Sequence, residues 1–187
     1  MKTDTYHHGN LKEELIEKGL EYIDRYGTES LSMRKLAETA GVSPAAPYAH
    51  FKNKEAFLTA IRDYITGKFH ATLQETVDRC GDSDTVLSEL GKSYVRFFYA
   101  NPLYYQFLFA RDDIGVDTYP PFQLFKGCAE KVIAGMSAET PAEAVRAKVI
   151  ALWSLVHGLS SAVTIKGAVD TNHLEEEVGR ILGAIKF

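Results

Sequence analysis

Hydrophobic residues recur along this chain at three- and four-residue spacing, the rhythm of one face of an α-helix. Leu11, Leu15, Leu20 and Ile23 share one side of a helix from about Asn10 to Tyr26, while Lys12, Glu13, Glu17, Glu21 and Asp24 face water and Gly27 ends it. Phe57, Leu58, Ile61, Ile65, Phe69, Leu73 and Val77 draw a stripe down a helix of about 54–79 that Asn53 can cap. Val86 to Ala100 turns Leu87, Leu90, Tyr94, Phe97 and Phe98 inward. Pro102 opens a helix carrying Leu103, Tyr104, Phe107, Leu108 and Phe109, and Phe122 to Met136 is helical again. Pro141 opens the longest apolar helix. Leu174, Val178, Ile181, Leu182 and Ile185 line one face of a last helix from about Asn172 to Lys186. Two stretches break the rhythm. CGDSD at 80–84 is a loop in which Asp82, Ser83 or Asp84 caps the next helix, and RDDIGVDTYPP at 111–121 is the one long irregular segment. The pattern predicts an all-α protein of about nine helices.

Between the first helix and the long one, Leu31 to Leu58 carries a different set of signals. Ser32 caps a short helix with Leu36, Ala37 and Ala40 at helical spacing, and Gly41 follows where the helix must stop. Val42 plugs the space between helices. Ser43 is the expected cap of a second helix and Pro44 its first residue. Helix, glycine turn and capped second helix form the helix-turn-helix pattern, whose second helix enters the DNA major groove. Pro47 disturbs it: as the fourth residue of that helix it forfeits a backbone bond and disfavours a helical Ala46, so a tightened or displaced first turn is expected.

The spacing VSxxxxYxHFxxKE after Gly41, carried by Ser43, Tyr48, His50, Phe51, Lys54 and Glu55, resembles the signature of TetR-type transcriptional regulators over roughly Asn10 to Leu58. The resemblance implies a homodimer that binds operator DNA and releases it when a small molecule fills a second domain. It divides the chain into a helix-turn-helix domain, 1–53, and a helical ligand-binding and dimerisation domain, 54–187. The family commonly has glycine where Ala45 stands and leucine or isoleucine where Pro47 stands.

Chemistry narrows the DNA-facing candidates to Ser32, Arg34, Ser43, Pro44, Ala45, Ala46, Tyr48, His50 and Lys54. Arg34 suits a phosphate or a guanine edge, or is a plain surface arginine. Pro44, Ala45, Ala46 and Pro47 have no hydrogen-bonding side chains, so direct reading there rests on thymine methyls and close backbone approach. Ser43, Tyr48, His50 and Lys54 are left to position the module on phosphates, Lys54 helped by free N–H groups at its helix start. Tyr48 has a core-packing alternative, and His50 one as a helix-end residue.

The net charge of −4 argues against a generic nucleic-acid coat. Residues 1–54 carry eight basic and eight acidic groups, so a local patch, not bulk charge, would meet DNA. The polar start of the chain, with His7 and His8, reads as neither a signal peptide nor a metal site. Cys80 and Cys128 make no disulfide framework, which points to a reduced, cytoplasmic protein.

Ten aromatic residues fall between Phe97 and Phe125. They read either as an aromatic core or as pocket walls with tyrosine hydroxyls as orienting groups. The candidate ligand-binding set is Phe69, Tyr94, Phe98, Tyr105, Phe109, Phe122, Trp153 and His157, suited to a small apolar or aromatic ligand, with a cation possible over the rings. Val149 to Ile165 has no charge if His157 is neutral, yet its 17 residues, with serines, a threonine and a glycine, are marginal for a membrane span. Burial on two sides, against its own core and a second subunit, accounts for it equally. Trp153, His157 and Gly158 resemble the tryptophan–histidine–glycine motif of a TetR subgroup; as bare chemistry His157 is either a ligand contact or a satisfied core histidine. Helices at about 142–167 and 172–186, the latter with Gly179 and Gly183 spaced for close approach, can pair with their copies as a four-helix bundle. No catalytic residues, cofactor or metal are indicated: nucleophile–base spacing, phosphate loop and metal cluster are all missing from the sequence. The rival reading is a helical interaction protein whose helix-turn-helix no longer binds DNA.

Overall fold

The computed structural model describes residues 11–81, 83, 85–109, 115, 118–136, 140–163 and 168–184. Eight α-helices lie among them: α1 Leu11–Tyr26, α2 Met33–Ala40, α3 Lys54–Cys80, α4 Val86–Ala100, α5 Pro102–Phe109, α6 Pro120–Met136, α7 Ala142–Ala162 and α8 Leu174–Gly183. Short 3-10 turns at Thr28–Ser30, Ala46–Ala49 and Thr171–His173 complete the described order. The chain divides into two compact units, Met1–Tyr64 and Ile65–Phe187, and the division falls inside α3. His7, His8 and the Asn10, Asp82 and Asp84 caps lie outside the described residues, as does most of the 111–117 stretch.

The first unit is built by α1 packing on α2, with Leu15, Ile16, Leu20, Ile23, Leu36, Phe51, Phe57 and Ile61 buried together. Gly19 lets the elements close: a Cβ there would overlap the Phe57 ring, with Cε1 only 2.7 Å away. Tyr64 donates a 2.7 Å hydrogen bond to Glu17, tying α3's first turns to α1.

The second unit is organised by α4, which packs on α7, α8 and α6. Val95, Leu159, Val163 and Val178 make its aliphatic centre. A buried polar link joins α3 to α4, a 2.7 Å hydroxyl pair of Thr76 and Ser93 that leaves neither group unsatisfied. Gly91 permits a close approach within this unit, since a Cβ there would meet Leu182 at 2.6 Å, and a Cβ at Gly179 would meet Lys92 Cε at 3.1 Å.

Element limits follow the hydrophobic rhythm closely, with small differences. The sixth helix begins at Pro120 rather than Phe122, and the last starts as a 3-10 turn before α8. The expected second helix of the helix-turn-helix is the main difference, and it is described next.

Candidate nucleic-acid interface and aromatic site

Two caps frame the turn region. Ser32 Oγ accepts from the Lys35 N–H at 3.2 Å, and Asn53 Oδ1 accepts from the Ala56 N–H at 2.8 Å. Gly41 ends α2 at φ 66°, in the left-handed region where a side chain is strained, and the Val42 N–H returns to the Ala37 carbonyl at 3.0 Å.

The segment after it is a 3-10 turn, Ala46–Ala49, instead of an α-helix capped by Ser43. Ala45 occupies the cap position, and no side chain caps the turn. The reason is local. Pro47 has no N–H to reach the Ser43 carbonyl four residues back, so the Ala46 N–H takes that carbonyl at 3.0 Å and winds the backbone tighter. Pro47 itself is buried beside the core, as Phe51 is. The turn is thus anchored from beneath while its other side chains face out.

Ser32, Arg34, Ser43, Pro44, Ala45, Tyr48 and His50 are exposed, and Ala46 and Lys54 are half-buried. Tyr48 is 58% exposed, which removes the core-packing alternative. Arg34 Nε lies 3.3 Å from Glu38 Oε1, and Lys35 Nζ donates to Glu38 Oε2 at 2.8 Å. That bond holds the Glu38 carboxyl below its usual range and raises Lys35. Lys54 Nζ reaches the Glu29 carbonyl at 3.4 Å, a long bond that a phosphate would readily replace.

In the second unit the eight candidate ligand residues fall into one continuous aromatic cluster. Phe69 contacts Tyr94 and Phe98, with ring centroids 4.8 and 4.7 Å apart. Phe98 passes contact to Tyr105 and Phe109 at 5.4 and 5.6 Å. Phe109 meets the His157 ring edge-on at 4.6 Å. Trp153 packs nearly perpendicular to Tyr94 and Phe122, with ring centroids 5.0 and 5.2 Å apart. Burial is graded: Tyr94, Phe98 and Phe69 are almost fully enclosed, while Tyr105, Phe109, Trp153 and His157 are half-buried.

The cluster has a polar seam. The Tyr94 hydroxyl is 3.0 Å from His157 Nδ1, and the Tyr105 hydroxyl is 3.1 Å from Nε2. Burial lowers the His157 pKa, so its ring is neutral, and burial pushes both tyrosines up, Tyr94 furthest. Four further members stand outside the candidate ligand set, though within the aromatic run from Phe97 to Phe125: Phe97 at 5.1 Å from both Phe69 and Phe98, Tyr104 at 6.0 Å from Phe97, and Phe125 at 5.4 Å and Tyr119 at 6.4 Å from the Trp153 ring. Tyr119 is 8% exposed; Thr66 slightly opposes the rise that burial imposes on its pKa, yet its hydroxyl makes no well-formed hydrogen bond among the described residues. Its place just before Pro120 and Pro121, at the start of α6, was the available signal. No metal-ligating group of three or more His, Cys, Asp or Glu occurs among the described residues, and no described helix is long and apolar enough to cross a membrane.

Residues 15–61 match the family model for bacterial regulatory proteins of the tetR family, and residues 87–181 match that for the tetracyclin repressor-like C-terminal domain. Over 52 residues the chain is 44% identical to the class C tetracycline repressor protein of Escherichia coli, a match covering 28% of this chain and 24% of that protein. The chain therefore spans about a quarter of the length of the curated tetracycline repressors it matches. Similarity of fold extends further. A protein of unknown function from Rhodococcus sp. RHA1 superposes with a TM-score of 0.77 at 23% identity, covering 97% of this chain and 96% of that one. The transcriptional regulator FadR from Bacillus subtilis, solved with stearoyl-CoA, gives 0.68 at 17% identity, covering 91% and 96%.

Proposed function

Since the chain belongs to the tetR family of bacterial regulatory proteins, which are transcriptional regulators and not enzymes, we propose that it is an operator-binding repressor released from DNA by a small ligand. The observation that carries this reading is the built turn at 43–50. A buried Pro47 and Phe51 hold it from below, and Ser43, Pro44, Ala45, Tyr48 and His50 stand exposed, as does Arg34 on α2. Apolar side chains and bare backbone then meet base edges, and Arg34, Tyr48, His50 and Lys54 meet phosphates.

In this reading 1–53 is the DNA-binding domain and 54–187 the ligand-binding and dimerisation domain. The protein acts in the cytoplasm as a homodimer through about 142–167 and 172–186. Exposed Ile150 on α7 supports that surface. Two copies would read an inverted repeat with half-sites about one helical turn, 34–36 Å, apart. The ligand is small and apolar or aromatic and sits among Phe69, Tyr94, Phe98, Tyr105, Phe109, Phe122, Trp153 and His157; the stearoyl chain of the stearoyl-CoA bound to the FadR neighbour is likewise apolar. α3, shared by both units, carries the response, and the ligand shifts DNA binding only by its difference in affinity for the two states.

The alternative, an interaction protein with an inert helix-turn-helix, separates cleanly from this. Arg34→Ala and Lys54→Ala should each weaken DNA binding and lower the slope of log affinity against log salt by about one. An interaction module would be indifferent to both.

A further inference from the structure

The hydrogen bonds around His157 can be given directions by counting hydrogens. The Tyr105 hydroxyl lies 3.1 Å from His157 Nε2 and 3.2 Å from the backbone carbonyl oxygen of His157. A hydroxyl has one hydrogen, and the Tyr94 hydroxyl, on a side chain only 1% exposed, has Nδ1 as its acceptor among the described residues, so that hydrogen goes to Nδ1. In a neutral imidazole Nε2 must therefore be the protonated ring nitrogen, and it donates to the Tyr105 oxygen. The series Tyr94 O–H to Nδ1, Nε2–H to Tyr105, and Tyr105 O–H to the His157 carbonyl is complete, with no donor facing another.

The two tyrosines are not equally replaceable. Tyr94 is 1% exposed, lies mid-helix on α4, and touches Phe69, Phe98 and Trp153. Losing its bond would strand a hydroxyl in the core. Tyr105 is half-buried on α5, a helix of only eight residues, and water can satisfy its hydroxyl if it turns away. What it would uncover is one N–H donor with Phe98 and Phe109 close by.

Resting on the reading of the second unit as ligand-binding, we infer that His157 Nε2–H is the polar anchor of that site, that it takes an apolar or aromatic compound bearing a neutral hydrogen-bond acceptor such as a ketone, ester or amide carbonyl, and that Tyr105 is the group this ligand displaces. A cation finds no acceptor on Nε2. To a carboxylate the half-buried, neutral imidazole offers one N–H and no countercharge. Tyr94 fixes the tautomer and acts as a positioning residue.

The test uses the full chain and its single tryptophan, Trp153, whose lone indole N–H resonance reports on the cluster. Acetophenone, ethylbenzene and benzylammonium are titrated in turn. Acetophenone should bind about tenfold more tightly than ethylbenzene, the worth of one hydrogen bond, and benzylammonium should leave the signal unmoved. Tyr105→Phe should tighten acetophenone binding, and His157→Phe should erase the ketone's advantage. Nitrogen spectra of the unaltered protein should show Nε2–H, a readout independent of whether either variant folds. A Nδ1–H tautomer, equal binding of ketone and hydrocarbon, or a ketone advantage that survives in His157→Phe overturns the inference while leaving an apolar site intact. If none of the three probes moves Trp153, the ligand reading of the second unit falls, and the inference with it.

Discussion

Gly19 and His157 each turn on contacts that composition does not announce. Gly19 reads in the sequence as a mild weakness inside a helix, yet the Phe57 ring occupies the space of its missing side chain. Gly19→Ala should therefore cost about 1–3 kcal/mol by overpacking. Gly67, also mid-helix, meets nothing within 4 Å, and Gly67→Ala should be neutral or stabilise by up to about 1 kcal/mol through helix propensity. Urea unfolding midpoints separate the two; equal effects would contradict the packing. His157 makes a pH prediction. Its pKa is lowered in the folded state by burial, so the unfolded chain takes up its proton first as pH falls. Stability from this group is complete above the ordinary histidine pKa of about 6.5 and declines as pH drops through the lowered folded value. Thermal melts at pH 7.5 and 5.5 should show a larger loss in the unaltered protein than in His157→Gln. The polar seam was legible only in part. The sequence placed Trp153 and His157 one turn apart, but that Tyr94 and Tyr105 close on opposite ring nitrogens depends on how α4, α5 and α7 meet, which no spacing encodes.

At the level of elements, the helices were legible wherever a stripe and a cap coincided. Phe57, Ile61, Ile65, Phe69 and Leu73 recur every fourth residue and are all fully buried along α3, and Ser32 and Asn53 cap where a hydroxyl and an amide oxygen were expected. The turn at 46–49 was legible as a disturbance but not as a 3-10 turn. Pro47 both withholds an amide and fills a buried position, and only the second role fixes how far the turn moves. Pro47→Leu restores the amide and keeps an apolar side chain. The backbone N–H gained at position 47 should bond the Ser43 carbonyl and be slow to exchange with solvent; rapid exchange would mean that something other than the proline sets the 3-10 geometry. The same variant should alter which bases are preferred without unfolding the unit, because the anchor at Phe51 remains.

For the chain as a whole, the family and the all-helical fold follow from the match over 15–61 and 87–181 and from the neighbours' superposition; the family was readable from Gly41, Ser43, Tyr48, His50, Phe51, Lys54 and Glu55, and the fold from the spacing of apolar residues. The aromatic residues, Tyr119 and Phe125 included, were readable as a group, but which of them meet Trp153 was not: those two do so through the placement of α6. The near-neutral charge of 1–54 sets an expectation of modest non-specific binding, so affinity should come from a few phosphate contacts and from sequence. Whether this chain reads an operator as a dimer is decided by selecting bound sequences from a random DNA pool at near-physiological salt. Enrichment of an inverted repeat with half-site centres about one helical turn apart is expected. Folded, dimeric protein that enriches no sequence would refute dimeric operator reading.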